Sequence, residues 1–330
     1  MIELSVVIPS RNREPLLEET LRRLLAQAAG RPVEAIVVYD GPPAESPAVA
    51  ERLAAAAPVP VRVERQAPRG PAAARNRGLA MARGRACLFL GDDVWPGAGL
   101  IDRHLEFHRA HEDERWSLLG RVVPAAPLDA SPFIRWLHEH GVQFSFAGLR
   151  AGEVPFECFW TANVSAKTEL LRRVGGFDEE FRSAACEDAE IGARLARAGM
   201  RLCYEPAARA EHYHPTDLAR TLSRMRAVGQ AFRLLGARAP ELPMPRHPGL
   251  RHRARALGLT ALNIARLRPL GVRQATWRFL CDEAQREAYW NVTPADGRRL
   301  LIGDRLARIA IADAAAAGSS TSTPPRRPPR

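Results

Sequence analysis

Lysine is almost missing from this chain of 330 residues: Lys167 is the single lysine among 48 basic groups. Ala, Pro and Gly are abundant, so the skew toward arginine fits a GC-rich coding bias better than selection for phosphate contacts. Long apolar runs are missing as well, and no stretch approaches the ~18 apolar residues that a membrane-spanning helix needs. Cysteine is sparse and odd in number (Cys87, Cys158, Cys186, Cys203 and Cys281). No pair has CxxC spacing, which argues against a zinc site or a disulfide framework and leaves buried thiols in a reducing cytoplasm as the plain reading. Met1 leads straight into an apolar strand pattern with no basic segment before a long apolar one, so no signal peptide is expected. No GxGxxG follows the first strand, and neither GxxxxGK[ST] nor GxSxG occurs, which counts against a dinucleotide dehydrogenase, a P-loop NTPase and an α/β-hydrolase elbow.

What is present is a globular composition, 46% hydrophobic and 26% charged, long enough for two domains. The formal charge of +11 and the pI near 10.5 point first to nucleic acid or an anionic membrane. The charge is unevenly placed. Residues 1–215 hold 27 basic and 29 acidic groups, a net of −2, whereas residues 216–330 hold 21 and 8, a net of +13. The basic third lacks interleaved aromatics: Phe232, Trp277, Phe279, Tyr289 and Trp290 are too few and too clustered for a stacking platform. No nucleic-acid partner is expected.

Residues 1–90 alternate short β runs with amphipathic helices. The runs are Leu4–Ile8, Val33–Tyr39, Val61–Glu64 and Ala86–Leu90; the helices are centred on Leu16–Leu25, Pro47–Ala57 and Ala72–Ala82. Such alternation predicts an α/β fold with a parallel sheet covered on both faces. Beyond it, helices are expected at Leu100–His111, Phe133–His140, Thr168–Val174 and Glu187–Ala198, with strands at Leu118–Val123, Phe159–Ala166 and Met200–Glu205. From Thr216 the pattern is mostly helical (218–235, 251–266, 272–289 and 294–317), with an elbow at Pro240–Pro248.

Ligands of open α/β sheets bind beyond the carboxyl ends of strands, which directs attention to Pro9–Asn12, Asp40-Gly41 and Asp92-Asp93. Three carboxylates converging on one sheet edge repel unless a cation or a ligand's donors compensate. A hard divalent ion, Mg²⁺ or Mn²⁺, would meet that need and bridge to phosphate oxygens; Asp and Gly also simply favour turns. Glu187-Asp188 opens a helix, where acidic residues suit the dipole and where a carboxylate is held rigidly enough to act as a general base. His212 and His214, at strand spacing, share a face. Arg75, Asn76 and Arg77 follow the Gly70-Pro71 bend near a helix start, a ready place for phosphate or ribose contacts.

The order of these pieces is what carries a resemblance. Val6-Val7-Ile8-Pro9-Ser10-Arg11-Asn12, Val37-Val38-Tyr39-Asp40-Gly41, Gly70 to Gly78 and Phe89-Leu90-Gly91-Asp92-Asp93-Val94 closely resemble the family 2 glycosyltransferases of GT-A fold. The likeness continues through Thr161 to Ser165, Gly175-Gly176-Phe177-Asp178 and Glu187-Asp188-Ala189-Glu190, and ends near His214. The resemblance implies inverting transfer of a sugar from a nucleoside diphosphate donor, with Mn²⁺ or Mg²⁺ as cofactor. It implies donor contacts from Pro9, Ser10, Arg11, Asp40, Arg75, Asp92 and Asp93, and metal contacts from Asp93 with His212 or His214. Asp188 matches the catalytic base, supported by Glu187. Two departures stand out: Gly91 occupies the first acidic position of the family's Asp-x-Asp motif, and Tyr39 stands where a second acidic residue is common.

The implied organisation is a GT-A catalytic domain at 1–215, with a nucleotide-sugar region over residues 1–123 and an acceptor region over residues 124–215. A basic helical extension at 216–317 and a disordered tail at 318–330 follow it. The acceptor, a glycan, a lipid-linked sugar or a small molecule, would meet Trp160, Glu157 and Phe159, with Trp136 and Trp95 as further candidates. A nucleotidyltransferase of similar sheet architecture is the rival reading, but no Gly-rich, Lys-bearing loop follows the first strand; a basic nucleic-acid-binding module is another. The expected location is the cytoplasm, with the basic third suited to peripheral contact with an anionic membrane on its inner face.

Overall fold

The computed structural model describes residues 1–42, 48–129, 131–245 and 270–289, with positions 255, 257–259, 261–263, 307, 310 and 311. The tail expected at 318–330 and most of the helices expected at 251–266 and 294–317 lie outside the described residues. The chain divides into two compact units. The first comprises Met1–Ala125, Phe146–His214 and Leu234–Leu242; the second comprises Ala126–Ser145, Pro215–Arg233 and Pro243–Arg330.

The first unit is built on a nine-stranded sheet. Its first half follows the alternation of the sequence: β1 (Leu4–Ser10), α1 (Glu14–Ala28), β2 (Val33–Asp40), α2 (Ala48–Ala55), β3 (Val61–Gln66), α3 (Pro71–Met81) and β4 (Ala86–Leu90). These strands are parallel in the order β3-β2-β1-β4. Leu4, Val6 and Ile8 of β1 pack with Leu17, Leu21 and Leu24 of α1 on one face. Val7 points to the other, where α3 crosses so closely that a Cβ on Gly78 would come within 2.3 Å of the Val7 side chain. Both faces are covered, so β1, β2 and β4 are buried along nearly their whole length and are predominantly apolar.

The second half is mixed. It contains β5 (Val94–Pro96), β6 (Trp116–Pro124), β7 (Gly152–Val154), β8 (Asn163–Lys167) and β9 (Arg201–His212). From β4 the order runs β8-β6-β9-β5, and β7 also pairs with β9. β8 is antiparallel to both neighbours, β6 and β9 are parallel, and β5 and β7 run antiparallel to β9. The parallel sheet expected from the alternation of residues 1–90 is therefore observed in the first four strands, and the mixed half completes an α/β sheet flanked by helices. α4 (Leu100–Ala110), α6 (Thr168–Arg173) and α7 (Glu187–Arg197) also belong to this unit.

β9 is longer than its sequence suggests because Pro206 interrupts the apolar pattern without ending the strand. The pairing with β6 shifts between Gly120 and Arg121, so that Gly120 faces Glu205 and Arg121 faces Arg209. Pro206 falls in the skipped residues, where no ladder donor is required. A Cβ on Gly120 would come within 2.3 Å of the Ala208 carbonyl oxygen, which explains the glycine there.

The second unit has an aromatic core. Phe133 and Trp136 of α5 (Pro132–Glu139) meet Trp277 of the helix Leu270–Tyr289 at ring distances of 5.1 and 5.5 Å. Leu218, Leu222 and Met225, from the first turns of α8 (Leu218–Arg238), join them. Residues 126–145, grouped by sequence with 124–215, fall in this unit because their apolar partners are there.

Candidate active site

Strand order reverses between β1 and β4: β2 and β3 lie to one side of β1 and β4 to the other. The crevice at such a switch point, beyond the carboxyl ends, is where open α/β sheets bind ligands. Ser10 ends β1, and Asp92-Asp93 follow β4. The Ser10 hydroxyl donates to Asp92 Oδ2 at 2.8 Å, and the Thr20 hydroxyl of α1 donates to the Asp92 carbonyl at 2.8 Å. Asp92 is fully buried, and burial pushes its carboxyl up to about 6 against the pull of Arg13.

Asp93, next in the chain, goes the other way. Burial works against its charge, but His212, His214 and Arg13 together hold it well below the usual carboxylate range. Its Oδ2 lies 3.5 Å from His212 Nε2 and 3.8 Å from His214 Nδ1. The histidines arrive there through β9: Val94 is paired with His212, and the Tyr213 amide donates to the Asp93 carbonyl at 2.9 Å. Tyr213 stacks on Trp95 (4.9 Å), while the His212 and His214 rings stack on each other at 5.1 Å. The shared face expected for the two histidines is therefore observed.

The group fits a divalent cation. Asp93, His212 and His214 each offer one ligand atom, all within 4.8 Å of one another. One carboxylate with imidazoles is a donor set open to Mn²⁺, with further positions left for oxygen ligands. Gly91 makes room for this arrangement: a Cβ there would approach Asp93 Oδ1 to 2.8 Å and Val94 Cγ2 to 2.9 Å. An acidic side chain at 91 would require Asp93 to move.

Asp40 is buried at the end of β2 and accepts from the amides of Arg69 (2.7 Å) and Gly70 (2.9 Å) and from Gln66 Nε2 (2.8 Å). It fixes the loop that opens α3. Gly70, at φ +98, is required there, since a Cβ would meet the Arg182 carbonyl oxygen at 2.3 Å. Tyr39 is buried and donates to Asn12 Oδ1 at 2.8 Å, tying β2 to the loop after β1.

Arg75 and Glu187 form a buried pair at 2.9 Å that joins α3 to the start of α7. Glu187 is thus engaged by Arg75 rather than left to face solvent. Asp188 is half-buried beside it, and its Oδ1 accepts the Ala189 amide at 2.8 Å. Cys186, which precedes the pair, holds φ +70, a strained value for a side chain of this kind. The segment bearing Glu157 and Trp160 packs on α7 at Gly192, one turn beyond Asp188. Glu157 is exposed, and half-buried Trp160 packs edge-on against Phe146 at 4.8 Å.

Several expectations are corrected. Trp136 is 3% exposed within the aromatic core of the second unit, and Phe159 is 1% exposed, so both are packing residues. Asn76 exchanges hydrogen bonds with the backbone of Phe177, which closes the Gly175-Gly176 turn rather than leaving the side chain for a ligand. Arg11 needs no correction: its backbone bonds Asp92 while its exposed side chain stays available to a ligand. Sequence reasoning missed Arg13, whose guanidinium pairs with Asp92 Oδ1 and with Asp93 Oδ2, the latter at 2.5 Å. The repulsion between adjacent carboxylates was the signal that a cation had to be near.

The sheet order and its switch-point crevice define a fold of the GT-A class. Solved structures agree on the fold. A mannosyltransferase of Pyrobaculum calidifontis, solved with GDP-Man and Mn²⁺, aligns at a TM-score of 0.54 and 19% identity, covering 97% of this chain and 86% of that one. Staphylococcus aureus TarS residues 1–349, solved with UDP, align at 0.53 and 17%, covering 91% and 93%. Residues 5–114 match the family described as Glycosyl transferase family 2, and residues 132–257 match Glycosyl transferase family group 2. A pre-mycofactocin glycosyltransferase of Mycobacterium tuberculosis is 32% identical over 251 residues, 74% of this chain and 49% of that protein. A validoxylamine A glucosyltransferase of Streptomyces hygroscopicus is 28% identical over 222 residues, 60% and 48% of the two chains. The chain spans about half the length of these curated relatives. It belongs to glycosyl transferase family 2.

Proposed function

We propose that the protein transfers a sugar, with inversion, from a nucleoside diphosphate sugar to an acceptor hydroxyl. The observation that carries this reading is the convergence of His212 and His214 on Asp93 Oδ2 at the switch point. A divalent cation held there, Mn²⁺ or Mg²⁺, would neutralise the charge that gathers on the departing diphosphate. The nucleoside would lie along Pro9–Arg11 and Asp40, between the ends of β1 and β2, with Asp92 toward the ribose. Asp188 would take the proton of the attacking hydroxyl, a contribution of typically ~10²–10⁴-fold in rate. The Arg75–Glu187 pair holds the start of its helix. Trp160 and Glu157 would meet the acceptor, since their segment packs against α7. A glycan, a lipid-linked sugar or a small molecule would suit such a surface; the relatives include a glucosyltransferase named for a small molecule, validoxylamine A.

No helix among the described residues is long and apolar enough to cross a membrane. Arg220, Arg224 and Arg226 are exposed on α8, in keeping with a cytoplasmic protein that touches an anionic membrane surface through its basic third. Liposome co-sedimentation across salt concentrations tests that contact.

The deciding experiment is turnover of Asp188→Asn beside wild type, with donor affinity measured separately. Turnover should fall by roughly 10²–10⁴-fold while donor affinity stays within about twofold. Parallel loss of both would remove Asp188 from the role of base, and pyrophosphate as the product would replace glycosyl transfer with nucleotidyl transfer.

A further inference from the structure

We propose that Arg13 is a built-in counter-cation of the Asp92–Asp93 edge, which it occupies until a divalent cation displaces it. The inference rests on the metal reading above and adds a residue that competes with the metal. Arg13 Nη1 stands 2.5 Å from Asp93 Oδ2, the same oxygen that faces His212 Nε2 at 3.5 Å and His214 Nδ1 at 3.8 Å. Its other terminal nitrogen pairs with Asp92 Oδ1. A guanidinium and a divalent ion repel, and both cannot hold one oxygen at contact distance.

Contrast with the other arginine of the site argues that Arg13 is exchangeable. In the Arg75–Glu187 pair both side chains are enclosed, at 9% and 5% exposure, and losing either leaves a buried charge. The Arg13 side chain is 44% exposed, so it can turn into water without stranding its charge. Its backbone is pinned independently, because the Arg13 carbonyl accepts the amides of Leu16 and Leu17 at 3.0 Å. The helix start therefore stays in place when the side chain leaves. What cannot go uncompensated is the carboxylate pair, enclosed at 0% and 9%. Two adjacent buried acids repel when both are charged, and Arg13 offsets that charge when the metal does not.

The test titrates Mn²⁺ into full-length wild type, Arg13→Gln and Arg13→Lys without any donor, reading free Mn²⁺ by electron paramagnetic resonance. Melting in excess EDTA and in saturating Mn²⁺ is recorded for the same proteins. Arg13→Gln should bind Mn²⁺ about tenfold more tightly than wild type, since a competing charge is gone. It should also melt below wild type in EDTA, with the gap closing in Mn²⁺. Arg13→Lys, which keeps the charge, should bind close to wild type. Equal or weaker binding by folded Arg13→Gln overturns the competition while leaving the metal site standing. Binding by none of the three overturns the metal reading and this inference with it.

Discussion

In the parallel half of the sheet, β1 and β4 pair side by side from Leu4–Ala86 to Val7–Phe89, and that register continued by three residues brings Ser10 to Asp92. In the mixed half, β9 reaches the site only after the irregularity around Pro206, and side chains have to hold it in place. Asn163 Nδ2 donates to the Ala208 carbonyl at 2.8 Å and the Arg121 carbonyl at 3.3 Å, capturing acceptors that the shifted ladder leaves over. His104 Nε2 meets Asn163 Oδ1 at 3.1 Å, and Ser165 Oγ lies 2.7 Å from both His104 Nδ1 and His108 Nε2. The single lysine ends this buried network, with Lys167 Nζ donating to the His108 carbonyl at 2.9 Å. A ladder tolerates substitution on its faces; a network of enclosed polar groups does not, because each lost partner leaves another unsatisfied.

The largest effect should come from the point where the two halves meet. Asp93→Asn removes the charge on which His212 and His214 converge, and calorimetry should show metal-dependent donor binding reduced by about 100-fold or more, the loss expected when a hard cation loses its carboxylate ligand. Asn163→Ala is the corresponding test of the mixed half alone. It should cost about 2 kcal/mol in urea unfolding, the penalty for leaving the Ala208 carbonyl and His104 Nε2 without the Asn163 partner. It should also weaken Mn²⁺ binding, although Asn163 is no ligand, because the bulge that aims His212 is loosened.

The most graded effect is with pH. Burial pulls His104 down to about 4, against an ordinary value near 6.5 in the unfolded chain. Protons then bind the unfolded state more readily, so stability present above pH ~6.5 should be lost as pH falls toward ~4, by roughly 3 kcal/mol from this ring. His104→Gln should flatten that slope relative to wild type in unfolding measured across the same window. An unchanged slope would mean that the ring is not held neutral.

The same contrast explains what the sequence made legible. β1, β2 and β4 announce themselves as predominantly apolar runs between helices of clear period, and Ser10, Asp40, Asp92 and Asp93 stand at their ends or just beyond. β5 and β7 have three residues each, too few to show any period. The second half of β9 is hidden behind Pro206, which in a sequence reads as an end and in the fold marks a bulge. His212 and His214 stand out by their spacing, but only the family resemblance ties them to Asp93, which lies more than a hundred residues away and meets them through the Val94–His212 pairing. Trp136 was misjudged because an aromatic residue near an expected acceptor region looks the same whether it stacks on a sugar or on Trp277. Arg13 was one arginine among 47 until its two carboxylate partners were in view.

The central claim is that Asp93 with its two histidines joins a nucleoside diphosphate to the protein through a metal. Isothermal titration of UDP and GDP into wild-type protein, in Mn²⁺ and again in excess EDTA, addresses it directly. The account predicts that at least one of the two nucleotides binds in Mn²⁺ and loses most of its affinity in EDTA. Equal affinity in both buffers, or binding of neither nucleotide, would contradict it.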